Sequence, residues 1–374
     1  MKRNRKLSRT KAASESLSRS DAGRVKLTPG VVLGVLAVAL AGCGASCGQS
    51  VLCNPLIRGN VNDPANFSQR RWILNQGLSE FCHKMLTHNA PLRMTNEAPI
   101  IGRFYPQHCA KQELQNGDIY VQFDGFGYGY TNLSRKVTFT MSGAVDYDQD
   151  FRVTDDCNIY AFFRSRHITS SNFQTHVIEQ PVASFLNSLT PMGDNFGKQL
   201  VSGKLGEGFT VIVDPSQNID FAVGIIPLGQ KPVKPFNMHG SNRVTYENSR
   251  SEVHQGERDF IGPIEVEDSG RALYVTASVD GAPAVNVMLM SKQDGDVSLG
   301  LYYNYAPIGP LNANVMMTDT VLAGRPYSRT LPVPKGLYYI VLDNSAGPAV
   351  GQSIIPVADI GATVSYAIQI GDAP

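Results

Sequence analysis

No apolar run in the 374-residue chain is long enough to cross a bilayer. The longest, Val31 to Ala41, spans 11 residues, whereas a transmembrane helix needs about 20. A surplus of positive charge is also missing from the body of the chain. Nine of the 33 basic residues and two of the 32 acidic ones precede Val31, leaving 24 basic against 30 acidic residues afterwards. A mildly acidic body argues against a phosphate-binding surface, and so against nucleic acid as the natural partner. No phosphate loop is present. Gly125, Gly127 and Gly129 lie between strand patterns, with neither the following helix nor the lysine that such a loop requires. No internal repeat relates the two halves of the chain.

The basic leader followed by a short apolar run has the form of an export signal, although the leader lacks an adjacent Arg-Arg pair. The run closes on Leu40-Ala41-Gly42-Cys43, which resembles the lipobox of bacterial lipoproteins residue by residue. That resemblance implies cleavage before Cys43 and a lipid on its sulfur. Residues 1–42 would then be a signal peptide and 43–60 a tether, with the body exported and membrane-anchored in the cell envelope. Gly44 stands where many inner-membrane lipoproteins carry aspartate, which favours the outer membrane.

With Cys43 acylated, Cys47, Cys53, Cys82, Cys109 and Cys157 remain, an odd number in an oxidising compartment. Two disulfides and one spare thiol are expected, with Cys47 in the tether as the spare. Four participants allow three pairings. Cys82 with Cys109 is the first choice, a 27-residue separation whose closure stabilises by about 3 kcal/mol. Cys53 and Cys157 are the other candidates.

Asp63-Pro64 places an N-cap residue before a proline, so a helix is expected from about Pro64 to Leu86, carrying Trp72, Leu74, Leu78, Phe81 and Met85 on one face. Two-residue alternation then predicts strands over 118–123, 136–141, 158–164, 209–213 and 220–226, with 125–132 as a glycine-rich turn. A broken helix is expected over 181–200. Together, 61–228 reads as a disulfide-containing α+β domain. The proline- and asparagine-rich stretch 229–256 reads as a linker. Strand patterns at 272–279, 284–291, 297–303, 314–322, 337–343 and 363–370, separated by turn signals such as Asp280-Gly281, predict a jelly-roll-like antiparallel β-sandwich over 257–374. The fold class is therefore mainly β. The segment Arg329-Thr-Leu-Pro-Val-Pro-Lys-Gly-Leu-Tyr-Tyr-Ile-Val-Leu-Asp-Asn-Ser345 resembles the penultimate strands of pre-peptidase C-terminal-like sandwiches, and that resemblance implies an accessory binding module.

Candidate chemistry is sparse. Cys82-His83 and His108-Cys109 offer zinc-type ligands, but adjacent residues on a helix cannot both face one ion, and a disulfide is preferred. Asp146, Asp148 and Asp150 could offer oxygen to calcium, yet Phe151 and Cys157 occupy the places where the helix-loop-helix template wants glycine and glutamate. A solvated acidic face is the preferred reading. Gly44-Ala-Ser46-Cys-Gly48 spells G-x-S-x-G but abuts the lipid site, where no strand precedes it. None of the seven histidines has a neighbouring nucleophile pattern. Phe126, Tyr128 and Tyr130 suit a hairpin core better than a ligand shelf.

These readings converge on an envelope lipoprotein that binds or scaffolds an envelope protein or surface polysaccharide, without cofactor or assigned catalytic residue. An extracytoplasmic hydrolase with dispersed catalytic residues and a lipid carrier are the rivals. Convergence of His108, Asp146 and His167 in one pocket would favour the hydrolase, and an apolar cavity in the first domain the carrier.

Overall fold

The computed structural model describes residues 51–78, 81–131, 135–179, 206–215, 219–238, 243–305, 313–345 and 361–374. Cys43, Cys47, the broken helix expected over 181–200 and the first part of the tether lie outside these residues. No described helix is long and apolar enough to cross a membrane.

Helix α1 (Pro55–Val61) overlaps the stretch expected as a tether. Asn54 caps it by accepting from the Leu56 amide, and Pro55 takes the first turn. This is the same cap-plus-proline signal that the sequence offers again at Asp63-Pro64. There the Asp63 carboxylate accepts from the Ala65 amide and forms a turn, so helix α2 (Phe67–Leu78) starts later than expected. Helix α3 (Phe81–Thr87) covers the end of the expected helical stretch.

Seven antiparallel strands follow in sequential order: β1 (Ala90–Leu92), β2 (Gly102–Glu113), β3 (Ile119–Thr131), β4 (Arg135–Val153), β5 (Ile159–Ile178), β6 (Gly208–Val213) and β7 (Ile219–Val223). The two ends of that order, β1 and β7, lie against one another, so the sheet is a nearly closed barrel. Its inner face is filled by Phe104, Phe123, Phe139, Tyr147, Phe163 and Phe209, with Phe81 of α3 packed at a tilt against the last two. The stretch 125–132, expected as a turn, is instead strand through Thr131. A Cβ at Gly125 would lie 2.2 Å from the Tyr105 carbonyl oxygen, and one at Gly127 would lie 2.6 Å from both the Arg103 carbonyl oxygen and the Phe139 ring. Those glycines serve close approach of strand and rings within a sheet. Strand β2 escaped notice because Pro106 interrupts its alternation, and that proline sits at a register shift where a ladder bond is not required.

The second unit has two four-stranded antiparallel sheets. One is ordered β8 (Val244–Val253), β15 (Ala362–Asp372), β10 (Arg271–Asp280), β13 (Tyr327–Val333). The other is ordered β9 (Arg258–Val266), β14 (Gly336–Asp343), β11 (Ala284–Ser291), β12 (Met317–Leu322). Consecutive strands alternate between the two sheets except β11 and β12, which form a hairpin within one, and the order is the eight-stranded double Greek key of a jelly roll. Leu273, Val275, Val285, Val287, Ile340, Leu342, Val364 and Tyr366 fill the space between the sheets.

Two local expectations are corrected. Residues 297–303 are helical rather than extended, within α4 (Lys292–Asn304). Ser291 caps this helix by accepting from the Asp294 amide, and its buried face of Gly295, Ser298, Leu299 and Tyr302 follows the helical period. The stretch 229–256, expected as a linker, contains strand β8. Polar side chains break the alternation of β8, but their partners come from distant elements: Glu247 and Ser249 face Arg103 and Arg93, and Asn248 exchanges hydrogen bonds with the Phe236 backbone.

Both expected disulfide candidates are joined. Cys82 pairs with Cys109, Cα atoms 5.4 Å apart, and ties α3 to β2. Cys53 pairs with Cys157, Cα atoms 5.2 Å apart, and ties the residues just before α1 to the β4–β5 turn.

Candidate functional site at the barrel and jelly-roll junction

The densest polar constellation among the described residues lies where β2 and β3 of the barrel meet β8, β9 and β15 of the jelly roll. Arg103, fully buried on β2, donates from Nε to Asp259 Oδ1 at 2.6 Å and from Nη2 to Asp259 Oδ2 at 2.9 Å. Its Nη1 donates to Asn89 Oδ1 at 2.7 Å and reaches Glu247 at 3.2 Å, while Nη2 also donates to the Tyr366 hydroxyl at 2.7 Å. The paired fork on one carboxylate is the geometry at which arginine is strongest.

The anions are equally occupied. Asp259 accepts from Tyr128 at 2.8 Å and Ser251 at 2.6 Å, and Glu247 accepts from Tyr366 at 2.6 Å. Burial opposes ionisation of Asp259, but the Arg103 guanidinium and these hydrogen bonds outweigh it and hold the carboxyl below its usual range. Burial likewise opposes the Arg103 charge, and Asp259 with Glu247 reverses that effect. Two backbone contacts close the seam, Tyr105 hydroxyl to the Phe260 carbonyl at 2.6 Å and the Phe260 amide to the Tyr128 hydroxyl at 2.8 Å. Tyr105 and Tyr128 pack with Phe260, Met288, Leu299, Tyr302 and Tyr339 in one apolar cluster that surrounds the ions. Phe126 and Tyr130 join the same seam against Tyr303 and His254.

A second polar cluster lies nearby. The Lys136 ammonium sits 4.1 Å over the Tyr302 ring and donates to the Tyr305 carbonyl at 2.9 Å. The Tyr302 hydroxyl donates to Glu257 at 2.5 Å. Burial, reinforced by Glu179, pushes the Glu257 carboxyl up to about 8. Burial lowers Lys136. The Arg135 guanidinium donates to the Gln255 carbonyl at 2.8 Å, and His176 lies between the Tyr303 ring and Asn304 Oδ1. What this chemistry can do is hold two bodies in one orientation: each ion is spent on a partner across the seam.

The residues singled out in the sequence are dispersed by comparison. Asp146, Asp148 and Asp150 lie along β4, each beside a different nitrogen-bearing side chain: His167 at 3.7 Å, Arg166 at 3.3 Å, and Arg70, respectively. Among the described residues no group of three or more His, Cys, Asp or Glu is arranged to hold a metal ion. His108 meets Asp124 at 2.8 Å, and His83 meets Glu265 at 3.1 Å. These are separate, solvent-reached pairs, and His108, Asp146 and His167 do not converge. The junction residues carried no local signal, because the partners of Arg103 lie between 14 and 263 positions away.

No protein-family model matches the chain, and no curated protein matches it. Among solved structures, the exo-β-1,3-galactanase of Phanerochaete chrysosporium with galactose is 8% identical, with a TM-score of 0.20. That alignment covers 72% of this chain and 69% of the other. A likeness that low carries no argument about fold or activity.

Proposed function

We propose that the protein is an exported lipoprotein of the cell envelope, anchored through Cys43 in the outer membrane, that displays its jelly roll as a binding or scaffold surface. The partner is an envelope protein or a surface polysaccharide. One observation carries this reading: the chain enters the barrel at one end of its long strands, and the jelly roll docks at the other. Helices α1 and α2, with the turn between them, meet β4 at Asp150 to Val153 and β2 at Glu113, whereas the junction uses Lys136 of β4 and Arg103 of β2. Fourteen residues of β4 separate Lys136 from Asp150, a contour of up to about 45 Å. A barrel that stands between anchor and jelly roll, joined to the latter by a buried ion network, acts as a stiff spacer. The filled aromatic interior of the barrel favours this role over lipid carriage.

The test is site-specific photocrosslinking in the native envelope. Crosslinkers at Thr318 and Ser328, exposed on the jelly-roll edges remote from the barrel, should trap one recurring partner. Crosslinkers in the N-terminal helices should not trap it. Absence of any adduct, together with hydrolytic turnover by the purified protein, would reverse the ranking in favour of the enzyme.

A further inference from the structure

The described residues nearest the proposed lipid site, 51–69, form a cap with no net charge and two prominent apolar side chains. Between Val51 and Gln69 the only charged side chains are Arg58 and Asp63, and Arg58 is committed to Asp155 at 2.7 Å. Leu56 is 74% exposed, the highest value among large apolar side chains of the described residues, and Phe67 is 58% exposed. Pro55, Gly59, Pro64 and Ala65 around them are exposed as well. The cap is nevertheless fixed. Leu52 and Val61 are buried against Phe151, Val153 and Trp72. Asn62 exchanges hydrogen bonds with Val153 at 2.7 and 2.9 Å, Arg70 donates to the Phe151 carbonyl at 2.8 Å, and Cys53 is bonded to Cys157. Exposed leucine and phenylalanine on a fixed surface gain apolar burial in a headgroup layer, where the exposed carboxylates beside them, Asp63, Asp155 and Asp156, stay among polar groups and water.

Chain length says what meets that surface. Val51 follows Cys43 by eight positions, so the bilayer can lie no more than about 29 Å from the start of the cap. We infer that the cap, through Leu56 and Phe67, rests on the surface of the bilayer that holds the Cys43 lipid, and so sets the orientation of the whole molecule. The inference rests on the lipoprotein reading and adds a second membrane contact to it. A lipid anchor supplemented by an apolar surface is the two-signal arrangement that gives durable attachment.

The test uses the full chain, extracted from membranes and reconstituted into phosphatidylcholine vesicles with plain or brominated acyl chains. Leu56→Trp and Phe67→Trp are each compared with the parent, in which Trp72 is the sole tryptophan, and with Met316→Trp on the jelly roll. The first two should gain emission that is shifted to the blue and lost in brominated vesicles; Met316→Trp should gain emission that is not. Intact mass fixes the state of Cys43 in the same samples. If the lipid is present and the new emission at both cap positions is equal in plain and brominated vesicles and quenched by aqueous iodide, the cap does not touch the bilayer and the inference is wrong. If the mass shows Cys43 without lipid, the lipoprotein reading itself fails and the inference falls with it.

Discussion

Replacing Arg103 by methionine should strip the junction of its central buried guanidinium while keeping an unbranched apolar stem in its place. Six hydrogen bonds leave with the guanidinium, two each to Asp259 and Glu247 and one each to Asn89 and Tyr366. Asp259, 5% exposed, would be left with hydroxyl donors alone. Breaking a buried pair by removing one partner costs about 3–5 kcal/mol, because the remaining charge stays buried without compensation. That is a large share of the roughly 5–15 kcal/mol that separates folded from unfolded domains. Chemical denaturation of the full chain, followed by Trp72 fluorescence beside the barrel and by circular dichroism of the whole, should show an earlier transition and divergence of the two probes. The pH dependence gives the sign. In the parent, Arg103 holds Asp259 below its usual range, so that contribution is present above the unfolded carboxyl range and is lost as pH falls through the folded value. In the variant, burial without a counter-ion raises the same carboxyl, so the deficit should shrink as pH is lowered. Arg103→Met combined with Asp259→Asn should recover part of the loss at neutral pH. A loss below about 1 kcal/mol, coincident probes and a deficit independent of pH would refute the view that these ions hold the two bodies together.

Glu257 supplies a second pH test. Its folded carboxyl is pushed up to about 8, above the unfolded value, so the folded state retains the proton longer. Stability from this group is full below the unfolded carboxyl range and falls by up to about 1.4 kcal/mol per pH unit until pH reaches the folded value. Glu257→Gln should flatten that slope in denaturation curves taken between pH 5 and about 8. Replacing both Cys53 and Cys157 by serine opens a loop closed over a separation of 104 residues and should cost about 4–5 kcal/mol, more than loss of the Cys82–Cys109 bond. Peptide mapping without reductant should recover both pairs, and free thiols at these positions would contradict the assignment. Gly127→Ala places a methyl group 2.6 Å from the Arg103 carbonyl oxygen and the Phe139 ring. Overpacking of that kind should cost about 1–3 kcal/mol in the same denaturation assay.

The β-sandwich half was legible where its strands alternate cleanly. Strands β10, β11, β14 and β15 fall on Ala272–Val279, Ala284–Ser291, Leu337–Asp343 and Thr363–Ile370, because each buries one apolar face between two sheets. Legibility failed where the buried face is polar. Strand β8 reads as linker because Glu247, Asn248, Ser249 and Ser251 replace apolar residues with partners from far along the chain. Short glycine-spaced aromatics misled in the opposite direction. Gly125 to Tyr130 has turn composition, yet the glycines exist to admit Phe139 and the β2 backbone, and the aromatics fill the seam to the jelly roll. Helix α4 was concealed because Val297-Ser-Leu-Gly-Leu-Tyr-Tyr303 satisfies both periods, and only the Ser291 cap with Gly295 pressed against Tyr339 decides for helix. The junction itself could not be read from sequence. Arg103 appears there as one charge in an apolar run, and what gives it a role is a set of contacts made only after two separate sheets have formed.

Neutron reflectometry of the lipid-anchored full chain on a supported bilayer tests the spatial claim most directly. The account requires the N-terminal cap at the headgroups and the jelly roll displaced from them by up to about 45 Å along the barrel strands. A profile with a distinct outer protein layer, lost when the jelly roll is released by Arg103→Met, is the expected result. A single thin layer with all protein density pressed against the headgroups would contradict it.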